Sequence, residues 1–427
     1  MNDHAFPFAR GFVSTPEGVA VNGVLLEDVA KRYGTPLYVY NLDAMVEAWR
    51  EWTAAFGAIP HMVCYAVKAN PNLAVLQGLK NAGSGFEVNS GGELFRALTV
   101  GADPSTVVMS GVGKRFNEIV GTIEAGVALI SVDSLEECRR VSEAAAGVSR
   151  DVDILLRVNP EVDARTHPYI ATGMKGHKFG LGPDEAIRAV KEAANLPSLR
   201  VVGFGMHIGS QILEVEPYRE AVSNLLEVAN VARPFLRTEP KYLDIGGGLG
   251  VPYAEGDTEV TPSQLLEPLR DTLAASGMTV IAEPGRSITA RAGVLVAKVE
   301  YVKRTREKTF VILDAGMNDL LRPMLYRVSH TILPCRNPHA PAQDPVDIVG
   351  PVCETADTFA EGVAFPKVKE KDFVVIFTTG AYGFTMSSRY NSRRLPAEVG
   401  IVGNDMHLVR RRDFYEDLVG AERMLDL

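Results

Sequence analysis

Short apolar runs rich in β-branched residues recur at regular intervals over the first two thirds of the chain. There are eight of them, at 62–68, 84–88, 106–110, 128–132, 152–158, 201–208, 241–246 and 278–283. Most are apolar at nearly every position, which is typical of parallel strands that are covered on both faces. Helix-like stretches lie between them, for example 91–101, 134–148 and 217–237, and a further helix over 43–56 precedes the first strand.

The alternation of strands and helices predicts a succession of right-handed βαβ units. Eight strands favour closure into a (β/α)8 TIM-type barrel over an open sheet. We assign residues 37–288 to this barrel. Within it, Ser134 and Glu137 have the spacing of a capping box at the start of the helix 134–148.

The pattern changes after residue 288. Strand-like runs at 293–303, 308–314, 347–353 and 373–378 follow one another with few helices between them, although 411–423 indicates one. Consecutive strands without intervening helices predict a mainly antiparallel β domain, either a sandwich or a barrel. We assign residues 289–427 to this domain, together with the N-terminal segment 1–36; the strand-like run at 37–40 is a further candidate for it.

Composition restricts the class of protein. The chain has 427 residues, 46% hydrophobic and 23% charged, and a net charge of −9, which argues against nucleic acid or an anionic membrane as partner. The N-terminal sequence lacks the pattern of a secretory signal, and no apolar run reaches the length of a membrane span. The four cysteines form no CxxC pair, which argues against zinc and against a disulfide framework. We expect a cytoplasmic protein.

The chemically notable residues of the barrel segment fall at the carboxyl ends of the predicted strands. They are Lys68 after strand 1, Glu87 and Asn89 after strand 2, Arg157 and Asn159 after strand 5, His207 after strand 6, Gly246 to Gly248 after strand 7 and Glu283 after strand 8. The carboxyl ends of parallel barrel strands all face one mouth, where active sites of such barrels lie. These residues are therefore expected to meet in one pocket.

Two loops in this set are suited to bind phosphate. GGGLG (246–250) lets backbone N–H groups approach an anion, and EPGR (283–286) adds the fixed cation Arg286. A lone glycine run is equally compatible with a tight βα turn, but loops after strands 7 and 8 are a recurrent phosphate site. Because the spacing matches neither a nucleotide-triphosphate loop nor a Rossmann fingerprint, a cofactor such as pyridoxal phosphate (PLP) is favoured.

Three side chains fit such a cofactor. Lys68 follows apolar Ala66 and Val67; burial destabilises its ammonium form and favours the free amine that forms a Schiff base, although a lysine reaching out to water is the alternative. His207 is either an ordinary core histidine or a ring that stacks on the cofactor. Glu283 either caps a turn or pairs with a pyridine nitrogen.

The motifs YAVKAN (65–70), HIGSQ (207–211), DIGGGLG (244–250) and EPGR (283–286) resemble those of the fold-type III PLP decarboxylases, the ornithine, diaminopimelate and arginine group. In the C-terminal part, LRPMLY (321–326), GPVCETAD (350–357) and GAYGFTMSSRYN (380–391) are most similar to the members that act on diaminopimelate. The resemblance extends from about residue 20 to 400, and the joint order of the motifs is highly specific.

This resemblance implies a PLP-binding barrel, a C-terminal β domain and a head-to-tail homodimer with shared sites. It implies that Lys68 forms the Schiff base, that His207 stacks on the ring and that Glu283 pairs with the ring nitrogen. The residues implied to hold the phosphate or otherwise contact the cofactor are Ser210, Gly247, Gly248, Pro284, Gly285, Arg286 and Tyr382. The residues implied to bind the substrate are Arg286, Arg322, Tyr326, Glu354 and Tyr382. Cys353, supplied by the second subunit, is implied to protonate Cα.

The implied reaction is the decarboxylation of meso-2,6-diaminopimelate to L-lysine and CO2, the last step of lysine biosynthesis. The far end of this substrate is a zwitterion, and Arg286 and Arg322 beside Glu354 supply cations and an anion for it. The far end of ornithine or arginine carries only a cation and would be bound by carboxylates alone. Another decarboxylase of the group, acting on ornithine, arginine or carboxynorspermidine, is the nearest alternative. An enzyme similar to alanine racemase, or a catalytically silent relative, is a more distant one.

Overall fold

The computed structural model describes residues 4–167, 172–173 and 178–426 of the chain. It divides into two units, which we call the β unit (Met1–Met45, Pro252–Asp257 and Thr289–Leu427) and the barrel unit (Val46–Val251 and Thr258–Ile288). Residues 1–3, 168–171, 174–177 and 427, which belong to the two predicted domain ranges, lie outside the described residues.

The strands and helices of the described residues are numbered in chain order. The strands are β1 His4–Ala5, β2 Phe12–Thr15, β3 Gly18–Val21, β4 Val24–Leu25, β5 Leu37–Asn41, β6 His61–Ala66, β7 Gly85–Val88, β8 Val107–Met109, β9 Leu129–Val132, β10 Val152–Arg157, β11 Leu199–Gly205, β12 Tyr242–Asp244, β13 Thr279–Ala282, β14 Gly293–Arg304, β15 Thr309–Leu313, β16 Ile332–Pro334, β17 Ala342–Val349, β18 Thr358–Pro366, β19 Phe373–Ile376, β20 Ala397–Val402 and β21 Asp405–Arg410. The helices are α1 Leu26–Tyr33, α2 Leu42–Phe56, α3 Leu73–Ala82, α4 Gly91–Thr99, α5 Phe116–Ala125, α6 Leu135–Gly147, α7 Pro183–Ala193, α8 Glu216–Ala232, α9 Pro262–Leu266, α10 Arg270–Ala275, α11 Arg286–Thr289, α12 Arg322–Tyr326 and α13 Glu416–Val419.

The barrel unit is a closed barrel of eight parallel strands, β6 to β13, arranged around the barrel in chain order. The predicted barrel and its eight strands are thus confirmed. Inside it, side chains from several strands pack together, among them Cys64, Leu129, Leu155 and Ile281, all of which are fully or almost fully buried. This filled interior fixes the strands, so that the loops at their carboxyl ends are held on a rigid frame.

Several strands end earlier than their apolar runs. β6 ends at Ala66, and Lys68 lies in the 3-10 turn Val67–Ala69 instead of ending the strand as predicted. His207 lies two residues beyond β11, and Glu283 directly follows β13. All three still lie at the carboxyl ends of the strands, as the sequence analysis required.

The start of α6 shows half of the predicted capping box. Ser134 Oγ accepts a hydrogen bond from the Glu137 N–H (3.1 Å). The Glu137 carboxylate, however, accepts from the Asp133 N–H (2.8 Å) and from the buried ammonium of Lys114 (2.8 Å). The reciprocal bond is therefore replaced by one that ties α6 to the preceding loop and to Lys114.

The β unit contains a small antiparallel sheet, β1 to β4, and a nine-stranded sheet with the order β18-β17-β15-β14-β5-β20-β21. The two remaining strands of the larger sheet lie off this path: β19 pairs with β14, and β16 pairs with β19. Most neighbours are antiparallel, as predicted; β15 with β17 and β5 with β20 are parallel. Its core includes Phe12, Val39, Val294 and Phe377.

The strand β5 differs from the predicted division of the chain. The predicted barrel range begins at residue 37, but β5 pairs with β14 and β20 in the β unit. The barrel unit begins at Val46, within α2. No helix among the described residues combines the length and the apolar character needed to cross a membrane.

Candidate active site

Lys68 is paired with a buried carboxylate. Its Nζ lies 3.0 Å from Glu87 Oε2, and the lysine side chain is 36% exposed while that of Glu87 is 1% exposed. The other oxygen of Glu87 accepts from Asn89 Nδ2 at 2.6 Å. The sequence predicts that burial destabilises the ammonium form of Lys68. In the structure Lys68 forms an ion pair, and the adjacent anion favours the ammonium form.

Two further carboxyl groups lie at the bottom of the same mouth. Glu283 and Asp244 are buried and share a hydrogen bond; burial and their mutual repulsion raise the pKa of Glu283 well above its usual range, and burial raises that of Asp244 to about 7. Asp244 Oδ1 accepts from the Gly246 N–H (2.8 Å). Glu283 Oε1 has no hydrogen-bond partner among the described residues. A donor that reaches this oxygen would satisfy a buried acceptor, which is otherwise unfavourable.

His207 presents a neutral ring to this mouth. Its Nδ1 accepts a hydrogen bond from the Gly247 N–H at 3.2 Å, so that nitrogen carries no proton. Burial, with the positive charges of Lys68 and Arg157, lowers the pKa of His207 well below its usual range. Arg157 in turn lies 3.6 Å from Asp133 Oδ1. The imidazole is therefore a flat, uncharged surface held by the glycine loop.

The two loops expected to bind phosphate contact each other and the loop that carries Ser210. A Cβ on Gly247 would lie 2.1 Å from the carbonyl oxygen of Glu283, and one on Gly248 (φ +102°) would lie 2.2 Å from that of Gly209. Glycine is required at both positions, because any side chain would separate the loops. Buried Arg286 donates to Ser210 Oγ through Nη2 (2.9 Å) and Nε (3.3 Å).

The EPGR turn also contacts the turn that carries Lys68. The Ala66 N–H donates to the carbonyl oxygen of Pro284 (3.1 Å), and a Cβ on Gly285 would lie 3.0 Å from Ala69 Cβ. The predicted barrel residues are therefore brought together as one group around the mouth.

The β unit holds Arg322 in a buried setting. Its Nη1 lies 2.9 Å from His330 Nε2, and its guanidinium carbon lies 4.8 Å from the centre of the Tyr253 ring. His330 Nδ1 lies 2.8 Å from the Phe377 carbonyl oxygen. A carbonyl only accepts and an arginine only donates, so the His330 proton is on Nδ1 and the ring is neutral. Tyr326, four residues on, is half-buried.

The remaining predicted residues of the β unit lie in two loops. Tyr382 is partly exposed and adopts a left-handed backbone conformation (φ +55°), which a bulky residue rarely takes outside constrained functional segments. Cys353 and Glu354 are both exposed. The Cys353 N–H donates to Asn391 Oδ1 (3.2 Å), and the Tyr390 hydroxyl donates to Glu354 Oε1.

Sequence reasoning missed several residues that hold these side chains. Glu87 and Arg157 were noticed as strand-end residues but were given no role, and Asp244 lay inside a motif that was interpreted through its glycines. His330 and Tyr253 carried no local signal, since their partners are distant in the sequence. Tyr390 lies in the motif 380–391, but the resemblance gave this residue no role.

Comparison with known proteins identifies the family of the chain. The family model described as "Pyridoxal-dependent decarboxylase, pyridoxal binding domain" matches residues 42–290. The diaminopimelate decarboxylase of Pseudomonas aeruginosa is 43% identical over 404 residues, which cover 94% of this chain and 96% of that protein. That of Vibrio cholerae is 43% identical over 406 residues, with the same coverage.

Solved structures extend the similarity to the fold of both units. The diaminopimelate decarboxylase of Helicobacter pylori complexed with L-lysine has a TM-score of 0.88 and 37% identity, and the match covers 93% of this chain and 98% of that one. The M. jannaschii enzyme has a TM-score of 0.91 and 32% identity, with coverage of 97% and 98%. The chain therefore belongs to the family of pyridoxal-dependent decarboxylases.

Proposed function

We propose that this chain decarboxylates meso-2,6-diaminopimelate to L-lysine and CO2, the last step of lysine biosynthesis, with pyridoxal phosphate as cofactor. The observation that carries the proposal is that relatives at 43% identity over 94% of the chain are diaminopimelate decarboxylases. This match includes the β unit, which contains most of the residues that we expect to read the substrate.

The barrel residues fit the cofactor. Glu283 Oε1 lacks a partner among the described residues, and a protonated ring nitrogen would supply both a donor and a positive charge to this carboxyl group. The contacts of Gly247 and Gly248 exclude side chains from the loop that we expect to hold the phosphate, and Ser210 and Arg286 add a hydroxyl and a fixed cation beside it. Pro284 and Gly285 complete that turn.

Lys68 is the residue that would bind the cofactor through its ε-amino group. When bound, pyridoxal phosphate accepts the electron pair that remains after the bond between Cα and the carboxylate breaks. Glu87 would hold Nζ as an ammonium whenever that amine is released, because both of its oxygens are already oriented by Lys68 and Asn89. His207 would lie flat against the ring as a neutral imidazole.

The β unit would recognise the far end of the substrate. Buried Arg322, with Arg286 and Tyr326, would bind the distal carboxylate, and Glu354 would bind the distal ammonium. Cys353 would donate a proton to Cα after CO2 has left. Tyr382 would contact the cofactor, a role that its constrained backbone supports.

We further propose that two chains associate so that Cys353 and Glu354 of one complete the site of the other. The exposure of both residues supports this arrangement, because groups that must meet a substrate away from water are not covered in the single chain. Large apolar side chains are also exposed on each unit, including Phe95 (72%) on the barrel and Tyr415 (68%) on the β unit. That the enzyme works in the cytoplasm stays a prediction from the sequence.

The function is tested by incubating purified, cofactor-loaded protein with meso-diaminopimelate, ornithine, arginine and lysine side by side and measuring CO2 release. We expect release from meso-diaminopimelate alone, with L-lysine as product. The Lys68→Ala variant is the control for release that does not depend on the site. Release from ornithine or arginine in preference to diaminopimelate would contradict the proposal.

A further inference from the structure

The base of the loop 350–357 is fixed through Asp357. Buried Asp357 accepts the N–H groups of Val352 (2.7 Å) and Met317 (2.6 Å), and its carbonyl oxygen accepts the Gly350 N–H (2.9 Å). A Cβ on Gly350 would lie 2.3 Å from Asp357 Oδ2, so only glycine allows this carboxylate to close the loop. Asp357 therefore closes the base of the loop and also ties it to the backbone at Met317.

The exposed tip of the same loop is held by a second segment, 388–391. Asn391 Oδ1 accepts the Cys353 N–H at 3.2 Å, and the Tyr390 hydroxyl donates to Glu354 Oε1. The segment is itself fixed, because the Ser388 N–H donates to the carbonyl oxygen of Asn318 (2.8 Å). Adjacent residues of one segment thus contact adjacent residues of the other, and each contact reaches a different functional group.

We propose that Tyr390 and Asn391 are positioning residues with separable effects: Tyr390 orients the Glu354 carboxylate toward the distal ammonium of the substrate, and Asn391 orients the backbone that carries the Cys353 thiol. The assignment of substrate and thiol rests on the proposed function, whereas the two tethers are contacts of the structure itself. Neither Tyr390 nor Asn391 needs to touch the substrate.

Tyr390 uses only part of the hydrogen-bond capacity of Glu354. The phenol occupies one oxygen of Glu354 and leaves the other to accept from an ammonium, while it limits the rotamers of a long, exposed side chain. The hydrogen bond to Glu354 and the negative charge of that carboxylate raise the pKa of Tyr390, so the hydroxyl remains a donor. A typical net hydrogen bond corresponds to about 2- to 12-fold in an equilibrium constant.

Asn391 is suited to its position by its backbone geometry. It adopts a left-handed conformation (φ +52°), which asparagine, aspartate and glycine tolerate better than other residues. Two matched variants follow from this. Asn391→Gly keeps the conformation but removes the acceptor, and Asn391→Asp keeps both the conformation and an acceptor oxygen for the Cys353 N–H.

The first test compares meso-diaminopimelate with 2-aminopimelate, which lacks the distal amine. Tyr390→Phe is expected to lower kcat/KM on diaminopimelate by about 2- to 12-fold and to leave kcat/KM on 2-aminopimelate within about twofold of wild type, as a positioning residue for the ammonium should. Equal losses on both substrates, or no loss on either, would overturn the role of Tyr390.

The second test separates Asn391. Asn391→Gly should lower kcat/KM on both substrates by the same factor, again about 2- to 12-fold, and Asn391→Asp should restore it. Amide hydrogen exchange of the 350–357 peptide, followed by mass spectrometry on the cofactor-loaded protein, should be faster in Asn391→Gly and unchanged in Asn391→Asp. Unchanged exchange in Asn391→Gly, or a loss that differs between the substrates, would overturn this role.

The exchange measurement is independent of the reaction. If wild type does not act on diaminopimelate, the proposed function fails while the exchange rates still decide whether Asn391 tethers the loop. If wild type acts on diaminopimelate and Asn391→Gly exchanges like wild type, the tether fails alone.

Discussion

The residues that we expect to hold the cofactor and those that we expect to read the substrate are held in different ways. In the barrel unit, Lys68, Glu87, Asp244 and Glu283 are linked by charge and hydrogen bonds, and the three carboxyl groups are buried. In the β unit, Cys353 and Glu354 are exposed and are held by another exposed segment. The buried group is suited to fix a permanent cofactor, whereas the exposed loop is suited to be covered by another molecule.

If two chains pair as proposed, each would supply Lys68 and the buried carboxyl groups to its own site, and Cys353 and Glu354 to the site of the other. The test with the largest expected effect mixes two inactive variants. Lys68→Ala should lower activity by roughly 10^4-fold or more, as removal of a covalent catalytic group does. Cys353→Ala should lower it by about 10^2- to 10^4-fold, the range for a proton donor.

Under conditions that exchange subunits, an equal mixture of these variants should recover about a quarter of wild-type activity. Half of the dimers are then mixed, and each mixed dimer has one intact site of two, if sites are shared in a symmetric pair. Native mass spectrometry checks that exchange has occurred. Mixed dimers without recovered activity would mean that Cys353 serves the site of its own chain.

The second test substitutes Asp319, a buried carboxyl group of the β unit that resembles Asp244 in the barrel unit. Burial raises the pKa of Asp319 in the β unit to about 7, and that of Asp244 in the barrel unit to a similar value. In the unfolded chain an aspartate has a pKa of about 3.9. Between these values each folded carboxyl group keeps a proton that the unfolded chain releases. The contribution of such a group to the free energy of unfolding is therefore fully present below about pH 4 and is lost as the pH rises toward 7.

Asp319→Asn should remove the β-unit part of this loss while it keeps an acceptor for the Gly316 N–H (2.9 Å). We expect the unfolding free energy of wild type to fall by roughly 2–4 kcal/mol more than that of the variant between pH 4 and pH 7. Denaturant unfolding of cofactor-free protein at several pH values measures it. Parallel pH profiles for the two proteins would show that Asp319 is ionised throughout.

The two regions also differ in how far the sequence predicted them. The barrel strands could be located because each is a continuous apolar run followed by a helix pattern, so the local pattern carries most of the information. The strand Leu37–Asn41 was recognisable as a strand-like run, but its domain could not be fixed from the sequence, since it pairs with residues 293–296 and 397–401, which are far away in the chain.

The same holds for the candidate site. Lys68 and the glycine loop were found because their residue types are unusual at strand ends. The pairs Asp244 with Glu283 and Arg322 with His330 were not found, because they exist only once separate segments have packed together. Tertiary contacts of this kind leave no spacing in the sequence by which they could be recognised.

The third test concerns the charge of Glu354. Glu354→Gln keeps the shape and removes the anion, and should lower kcat/KM on diaminopimelate by about 10- to 150-fold if the carboxylate binds an ammonium in a covered site. The absorbance of the bound cofactor should not change. With 2-aminopimelate the variant and wild type should be nearly equal; a loss of the same size on that analogue would mean that Glu354 only supports the loop.

The smallest effect is expected at His330, a residue buried behind Arg322. Its neutral ring accepts from Arg322 Nη1 (2.9 Å) and donates to the Phe377 carbonyl (2.8 Å), so it holds the guanidinium without being a predicted substrate contact. His330→Ala removes that acceptor, while the Tyr253 ring still covers the other side of the guanidinium. We expect a loss of about 2- to 12-fold in kcat/KM, the value of one net hydrogen bond.

This loss should be seen in KM and not in kcat, because a distal carboxylate is bound equally in the ground state and in the transition state. His330→Gln offers an amide oxygen in place of Nε2 and should recover part of the affinity. Steady-state kinetics on diaminopimelate with the three proteins separate the two parameters. If kcat falls instead, Arg322 is needed when CO2 leaves, and the buried pair in the β unit belongs to the chemistry as much as the barrel carboxylates do.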